Sequence, residues 1–320
     1  MTRRSVILGT GSYLPKNRVI NSDLPKHLET SHEWIVERTG ICARYIAAPD
    51  ECTSDMAFEA SKRALESAGV DPKDLDMIIL ATSTPDHIFP ATATRVQAKL
   101  GNTKGFAFDQ AAVCSGFVFA LATADAYLKQ GMAETALVIG SETMSRLLDW
   151  NDRRTAVLFG DGAGAVVLKA ESDTDRGIIG SLLRTDGQGY DELYVSGGPG
   201  TTQTVGTIQM NGREVFRNAV HRLEEAVEDI LKKYNVKQEE LDWLVPHQAN
   251  KRIIDATAKK LGLPDEKVIH TGADQANTSA ASIPLALDQA IRDGRIQQGD
   301  LILCEAFAGG FAWGSNLIRM

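Results

Sequence analysis

Cysteine is scarce. The chain has four in 320 residues, Cys42, Cys52, Cys114 and Cys304. That is too few for a disulfide-stapled scaffold, so a reducing, cytoplasmic compartment is expected. No Cys/His spacing matches a zinc site, and no metal is expected. Positive charge is in deficit: 34 Lys and Arg against 42 Asp and Glu give a formal charge of −8. This argues against a dedicated nucleic-acid binder while leaving room for a local basic patch. Long apolar runs are missing as well. The longest, Gly116 to Thr123, ends after eight residues, against the roughly 18–20 that span a bilayer, and no membrane association is expected. The opening Met1-Thr-Arg-Arg-Ser-Val-Ile-Leu-Gly9 is too briefly apolar for a secretory signal and reads as a first β-strand. There is no low-complexity tract. What remains, 43% hydrophobic and 24% charged, is an ordinary globular composition that excludes disorder, coiled coil and collagen. The length suggests about two domains or one two-lobed unit.

A faint duplication organises the chain. Val70 matches Val236, and Leu75-Asp76 matches Leu241-Asp242, at an offset of 166. Asp109-Gln110-Ala111 matches Asp274-Gln275-Ala276, and Leu137-Val-Ile-Gly140 matches Leu301-Ile-Leu-Cys304, at 165 and 164. Four matches in the same order at nearly one offset point to two homologous halves. Each half predicts the same alternation. A helix (54–68; 213–234) leads to a short apolar strand (77–80; 243–245). A second helix (91–100; 250–261) ends at Gly101 or Gly262 as a C-cap. A further strand and a small-residue helix (114–130; 279–292) then lead into a strand (136–140; 301–304). Each half closes on a β-rich stretch (163–169; 312–319). Short apolar runs between helices are what buried α/β strands look like. The chain therefore divides into halves 1–171 and 172–320, joined by the polar stretch 170–176.

Sites in duplicated folds usually lie where the halves meet. Cys114 follows a strand and opens a small-residue helix, where the macrodipole and unpaired N–H groups favour a thiolate, so its pKa is expected to fall. His247 follows a buried strand and precedes a helix, at the carboxyl edge where α/β sheets hold their sites. Asn277 lies in the loop duplicating that of Cys114. Taken singly, a core cysteine, a loop histidine and a turn-forming asparagine are plain alternatives; taken together, the three form a candidate site. Gly9-Thr-Gly11 and Phe159-Gly-Asp-Gly-Ala-Gly-Ala165 lack the third glycine of a dinucleotide fingerprint and the Lys-Ser/Thr of a phosphate loop, and read as tight backbone approaches. Ala308-Gly309-Gly310 follows a strand and can aim an N–H at a developing oxyanion. The order Cys, His, Asn also fits papain-like proteases, but the local signature around the papain cysteine is absent.

These residues resemble the β-ketoacyl-acyl carrier protein synthase III family, the initiating condensing enzymes of type II fatty-acid synthesis. The marks are Glu33-Trp-Ile-Val-Glu-Arg-Thr-Gly-Ile41, the Cys114 segment, Phe159-Gly-Asp-Gly-Ala-Gly164, Pro246-His-Gln-Ala-Asn250, Asn277-Thr-Ser-Ala-Ala-Ser282 and Glu305-Ala-Phe-Ala-Gly-Gly-Phe-Ala-Trp-Gly-Ser315. They run over essentially the whole chain. The resemblance implies a thiolase-like α/β fold in αβαβα layers, and a decarboxylative Claisen condensation of an acyl-CoA primer, acetyl-CoA first, with malonyl-acyl carrier protein. Cys114 would carry the acyl group, His247 and Asn277 would stabilise the enolate, and the backbone N–H groups of Cys114 and Gly309 would hold the acyl oxyanion. Trp34, Arg38, Arg153, Phe216 and Asn250 would bind CoA. Gln248, Ala249, Asn250, Lys251 and Arg252 would meet the acidic carrier, with Lys259, Lys260 and Arg217 completing a basic patch. Phe89 would reach across a homodimer into the partner's acyl pocket. No cofactor is implied, since the CoA thioesters are substrates. Related acyltransferases of specialised metabolism and non-catalytic carrier-binding homologues are the alternatives. An intact Cys114 disfavours the second. Three departures, Val113 for a frequent alanine, Ala276 and Ala308 for frequent glycines, add bulk beside the site.

Overall fold

The apolar runs between helices become two sheets in the computed structural model, which describes residues 3–320. Strand β1 (Arg3–Tyr13) leads to a small ribbon, β2 (Asn17–Ile20) paired with β3 (Ala43–Ile46), with helix α1 (His32–Thr39) between them. Helix α2 (Thr53–Ala68), β4 (Met77–Ala81), α3 (Thr92–Leu100), β5 (Phe106–Gln110), α4 (Gly116–Lys129), β6 (Thr135–Thr143), the short α5 (Arg153–Ala156) and β7 (Asp161–Ser172) complete the first half. The sheet order is β1-β7-β6-β4-β5, with β4 parallel to both neighbours and β6-β7-β1 antiparallel. All five residues of β4 are buried, as a parallel strand covered on both faces requires.

The second half repeats the plan. It comprises β8 (Gly177–Thr185), a hairpin of β9 (Leu193–Gly198) and β10 (Thr204–Met210), α6 (Gly212–Tyr234), β11 (Trp243–Pro246), α7 (Lys251–Lys260), the short α8 (Gly272–Gln275), α9 (Ser282–Arg292), β12 (Leu301–Ala308) and β13 (Ala312–Arg319). Its sheet order is β8-β13-β12-β11. The expected strand equivalent to β5 is reduced to one parallel bridge, Leu244 to Val268. The expected polar connection also starts late, since β7 runs to Ser172 and only 173–176 link the sheets.

Three apolar layers hold the sheets together. Helices α4 and α9 lie between them, with Phe117, Leu121, Ile283 and Leu287 packed against Ile79, Val138, Val245 and Ile302. α2 and α3 cover the outer face of the first sheet, and α6 and α7 that of the second. The result is the αβαβα arrangement. The central helices also carry matched ion pairs, Lys129 to Asp125 and Arg292 to Asp288, each at i,i+4. Strand β1 binds both, Ser5 donating to Asp125 and Thr10 to Asp288, each at 2.7 Å. The glycine stretches are backbone contacts, as their sequence suggests. A Cβ on Gly11 would lie 2.3 Å from the Ala64 nitrogen of α2, and one on Gly164 2.7 Å from the Leu285 nitrogen of α9. Among the described residues no helix is long and apolar enough to cross a membrane.

Candidate active site

Both small-residue helices start later than their sequences suggest. Each is preceded by a 3-10 turn, Val113–Ser115 before α4 and Ser279–Ala281 before α9. Cys114 sits in the first of these, 5% exposed. The Ser115 hydroxyl anchors that turn by donating to the Ala312 carbonyl at 2.9 Å. Val113, Ala276 and Ser279 have φ of 47°, 57° and 51°, so both turns are held in left-handed backbone that L-residues resist. The thiol does not follow the macrodipole expectation. Burial pushes it up to about 12, the Glu142 charge acts in the same direction, and hydrogen bonds from Ser279 and its own turn oppose them. Removal of water from the sulfur outweighs the helix terminus.

The duplicated turn supplies Asn277, whose backbone is pinned to the glycine-rich stretch: its N–H donates to Leu158 O and its carbonyl accepts from Gly160 N, both at 3.0 Å. The Asn277 Oδ1 accepts the Ser279 N–H at 2.9 Å. That fixes the amide, with the oxygen spent in the turn and the NH2 left for the cavity. His247 follows β11, and its backbone N–H donates to the Glu305 carbonyl at 2.8 Å. Its Nδ1 lies 2.6 Å from the Ser282 hydroxyl, which accepts the Gln248 N–H at 3.3 Å. We assign the serine proton to Nδ1, which places the ring proton on Nε2. Nε2 is buried without a partner, and burial pushes the imidazole down to about 3. His247 is therefore neutral at pH 7 and a proton donor at Nε2.

Cys114, His247 and Asn277 line one cavity of about 920 Å3. Trp34, Arg38, Arg153, Phe216, Asn250 and Arg252 line it too. The Arg38 and Arg153 guanidiniums lie 4.6 and 5.3 Å from the Trp34 ring centre, and Arg252 lies 5.6 Å from that of Phe216. Ala249 shares this wall. Asn250 caps α7, its Oδ1 accepting Arg252 N at 2.9 Å. Ala308 packs against Cys114 and Ala312, which brings the following Gly309 to the sulfur's turn; a Cβ there would lie 2.4 Å from the Leu193 carbonyl.

Several surface expectations change. Gln248 is 2% exposed, and its amide is spent on Pro246 O, Ile269 O, Thr271 N and Gly272 N; it holds the loop together and presents nothing to a carrier. The basic patch is partly neutralised, since Lys251 pairs with Asp255, Lys260 with Glu224 and Arg217 with Glu214. Phe89 is 83% exposed beside Ile88 at 74% and does not line this chain's own cavity.

Sequence reasoning missed the supporting cast: Ser279 and Ser282, the hairpin β9–β10 that adds Leu193, Tyr194, Gln209 and Met210 to the cavity wall, and two buried carboxyls. Glu305 is 1% exposed, neither of its oxygens has a partner, and burial pushes it up to about 8. Glu142 is wholly buried. The serines and Glu305 stand within quoted motifs, Asn277 to Ser282 and Glu305 to Ser315, whereas Glu142 and the hairpin carried no signal.

The chain matches two family models, described as 3-oxoacyl-[acyl-carrier-protein (ACP)] synthase III over residues 108–187 and its C-terminal part over residues 231–320. A protein of Erythrobacter litoralis named beta-ketoacyl-[acyl-carrier-protein] synthase III is 60% identical over 318 residues, covering 99% of each chain. One of the same name from Sphingopyxis alaskensis is 58% identical, covering all of both. The crystal structure of 3-oxoacyl-[acyl-carrier-protein] synthase III from Aquifex aeolicus superposes with a TM-score of 0.94 at 47% identity, covering 99% of this chain and 100% of that one.

Proposed function

The chain belongs to the 3-oxoacyl-[acyl-carrier-protein] synthase III family, and from that premise we propose how its cavity performs the family's reaction. The protein is an acyltransferase that starts fatty-acid synthesis by condensing an acyl-CoA primer with malonyl-acyl carrier protein. In the proposed mechanism Cys114 takes the acyl group from the primer, acetyl-CoA first, as a thioester, and CoA leaves. The malonyl thioester then enters and loses CO2. Charge collects on its thioester oxygen, where two neutral donors, His247 Nε2–H and the Asn277 NH2, stabilise the enolate. The enolate carbon attacks the acyl carbonyl, the Cys114 thioester breaks, and the 3-oxoacyl carrier protein departs. During both acyl transfers the N–H groups of Cys114 and Gly309 receive the oxyanion.

The observation that carries this reading is the convergence of one sulfur and two neutral donors on one cavity. A cationic histidine would hold the malonyl carboxylate in place; a neutral one favours its loss as CO2. Trp34 between Arg38 and Arg153 supports a nucleotide clamp, in which the adenine takes the ring face and the guanidiniums the phosphates. Half-reactions test the assignment. Cys114→Ser is expected to form no acyl-enzyme, read by intact mass after acetyl-CoA. Asn277→Ala is expected to acylate normally while CO2 release falls about 10²–10³-fold. Unchanged CO2 release removes Asn277 from this role.

We further propose the division of the chain into two halves, the boundary moved from 171/172 to the link 173–176 between β7 and β8, supported by the repeated element order. A homodimer is proposed on the exposed Ile88-Phe89 tip, an apolar pair that a second copy would cover; sedimentation at micromolar concentration tests it. A cytoplasmic location is proposed on four cysteines that are all unpaired. The substrates need no resident cofactor or metal in this reading.

A further inference from the structure

Loading the primer requires that the Cys114 proton go somewhere, and His247 does not supply the acceptor. Its Nδ1 is engaged by Ser282 and its Nε2 bears the proton that the second step uses. On the other side of the sulfur lies a buried hydrogen-bonded chain. The turn bearing Ser279 packs against the turn bearing Cys114, and the Ser279 hydroxyl donates to Glu142 Oε1 at 3.1 Å, which leaves its oxygen to accept the Cys114 S–H. Glu142, near the end of β6, is clasped by four further contacts: the Ser83 N–H reaches both carboxylate oxygens, at 3.1 and 3.0 Å, and the Thr82 and Thr84 hydroxyls donate to Oε2 at 3.2 and 2.6 Å. Ser279 is fully buried and held at φ 51°. Left-handed backbone at a non-glycine residue persists only where its surroundings enforce it; here it sets the hydroxyl between sulfur and carboxylate.

Resting on the assignment of Cys114 as nucleophile, we propose that Glu142, through the Ser279 hydroxyl, takes the Cys114 proton during acyl loading. As the sulfur attacks the acyl-CoA carbonyl, its proton passes to Ser279 Oγ and the serine's own proton to Glu142. The carbonyl–sulfur bond to CoA breaks on collapse of the tetrahedral adduct, and Glu142 returns the proton through Ser279 to the departing CoA sulfur. One S–C bond forms, one breaks and no proton is gained or lost. Burial holds the Glu142 carboxyl up at about 7, against the pull of its four donors, so it can accept a proton at neutral pH. The titratable groups on neighbouring elements do not neutralise it. Cys114 is uncharged, Asp161 of β7 is taken up by Ser145 and Ala47 N, and Asp86 beyond the Thr82–Thr84 loop binds Ser54 N and faces Arg95.

Glu142→Gln and Ser279→Ala test this in single-turnover acylation by acetyl-CoA across pH 5.5–9, with thermal unfolding recorded for both. Wild-type acylation is expected to rise through an inflection near pH 7 and level off. Both variants are expected to acylate about 100-fold more slowly at pH 7, to lose the inflection and to climb steadily with pH. Once acylated by long incubation, they should condense with malonyl-acyl carrier protein at the wild-type rate. Retention of the inflection, faster acylation in Glu142→Gln, or an equal fall in both half-reactions overturns the relay. A wild-type enzyme whose acyl group is not on Cys114 overturns the nucleophile itself, independently of Glu142.

Discussion

Glu305 offers a measurement in which structure, charge and stability meet. The residue lies on β12 between β11 and β13, with Pro246 and Ser315 opposite it, and no donor reaches its carboxyl. Folded, it keeps its proton to about pH 8; unfolded, it releases it near the ordinary 4.5. The unfolded state therefore ionises first, and the stability contributed by this group is lost as pH rises from 4.5 to 8. Glu142 acts in the same direction up to about 7. His247 acts oppositely: neutral in the fold down to about pH 3 but protonated below 6.5 when unfolded, it adds stability as pH rises to 6.5 and only about 0.4 kcal/mol beyond. The window from pH 6.5 to 8 thus isolates the carboxyls. At roughly 1.4 kcal/mol per pH unit, Glu305 loses about 2 kcal/mol across it and Glu142 less than about 1. Urea unfolding followed by tryptophan fluorescence at the two pH values should show wild type losing about 2–3 kcal/mol and Glu305→Gln under about 1. Cys114 and Cys304, both raised to about 12 from 9.0, begin to act only above this window. Parallel losses in the two proteins would refute the account of Glu305 as an unpartnered buried acid.

Two further outcomes follow from geometry. Trp34→Ala should raise KM for acetyl-CoA about 5–50-fold through lost stacking, with kcat within about twofold; a matching fall in kcat in steady-state assays would place Trp34 in the chemistry instead. Ala276 sits at φ 57° and ψ −162°, next to a region open essentially to glycine alone. Ala276→Gly should therefore stabilise the fold by about 1 kcal/mol, a rise of roughly 2–4 °C in thermal midpoint, and an unchanged or lower midpoint would show that the turn is unstrained.

The architecture was legible because burial imposes pattern. β4 reads as an unbroken apolar run since helices cover both its faces, and α6 ends with Asn235 in left-handed backbone. The repeated order of elements exposed the two halves before any strand was paired. Cys114 and His247 were legible because each follows a strand and precedes a helix, and Asn277 because its loop duplicates that of Cys114. Their protonation was not. The thiol's helix-terminal placement suggested a lowered pKa, whereas its enclosure by chain distant in sequence raises it. Gln248 was expected at the carrier surface because the stretch 248–252 matches the family's contact region; only the fold reveals that Ile269 and Thr271 claim its amide. Glu142 carried no local signal, and Glu305 only its place at the head of a motif, since each looks like an ordinary polar residue until the opposing layer closes over it.

Cys114 and Asn277 hang from turns before two helices clamped between sheets and His247 from the end of β11, while hairpin β9–β10, α1 and the first turns of α6 supply much of the cavity wall. Reaction chemistry and substrate choice thus occupy separable parts of one scaffold. Drift in the peripheral pieces can retune what enters without disturbing how carbon–carbon bonds are made, and descendants with new diets need inherit only the clamped centre unchanged.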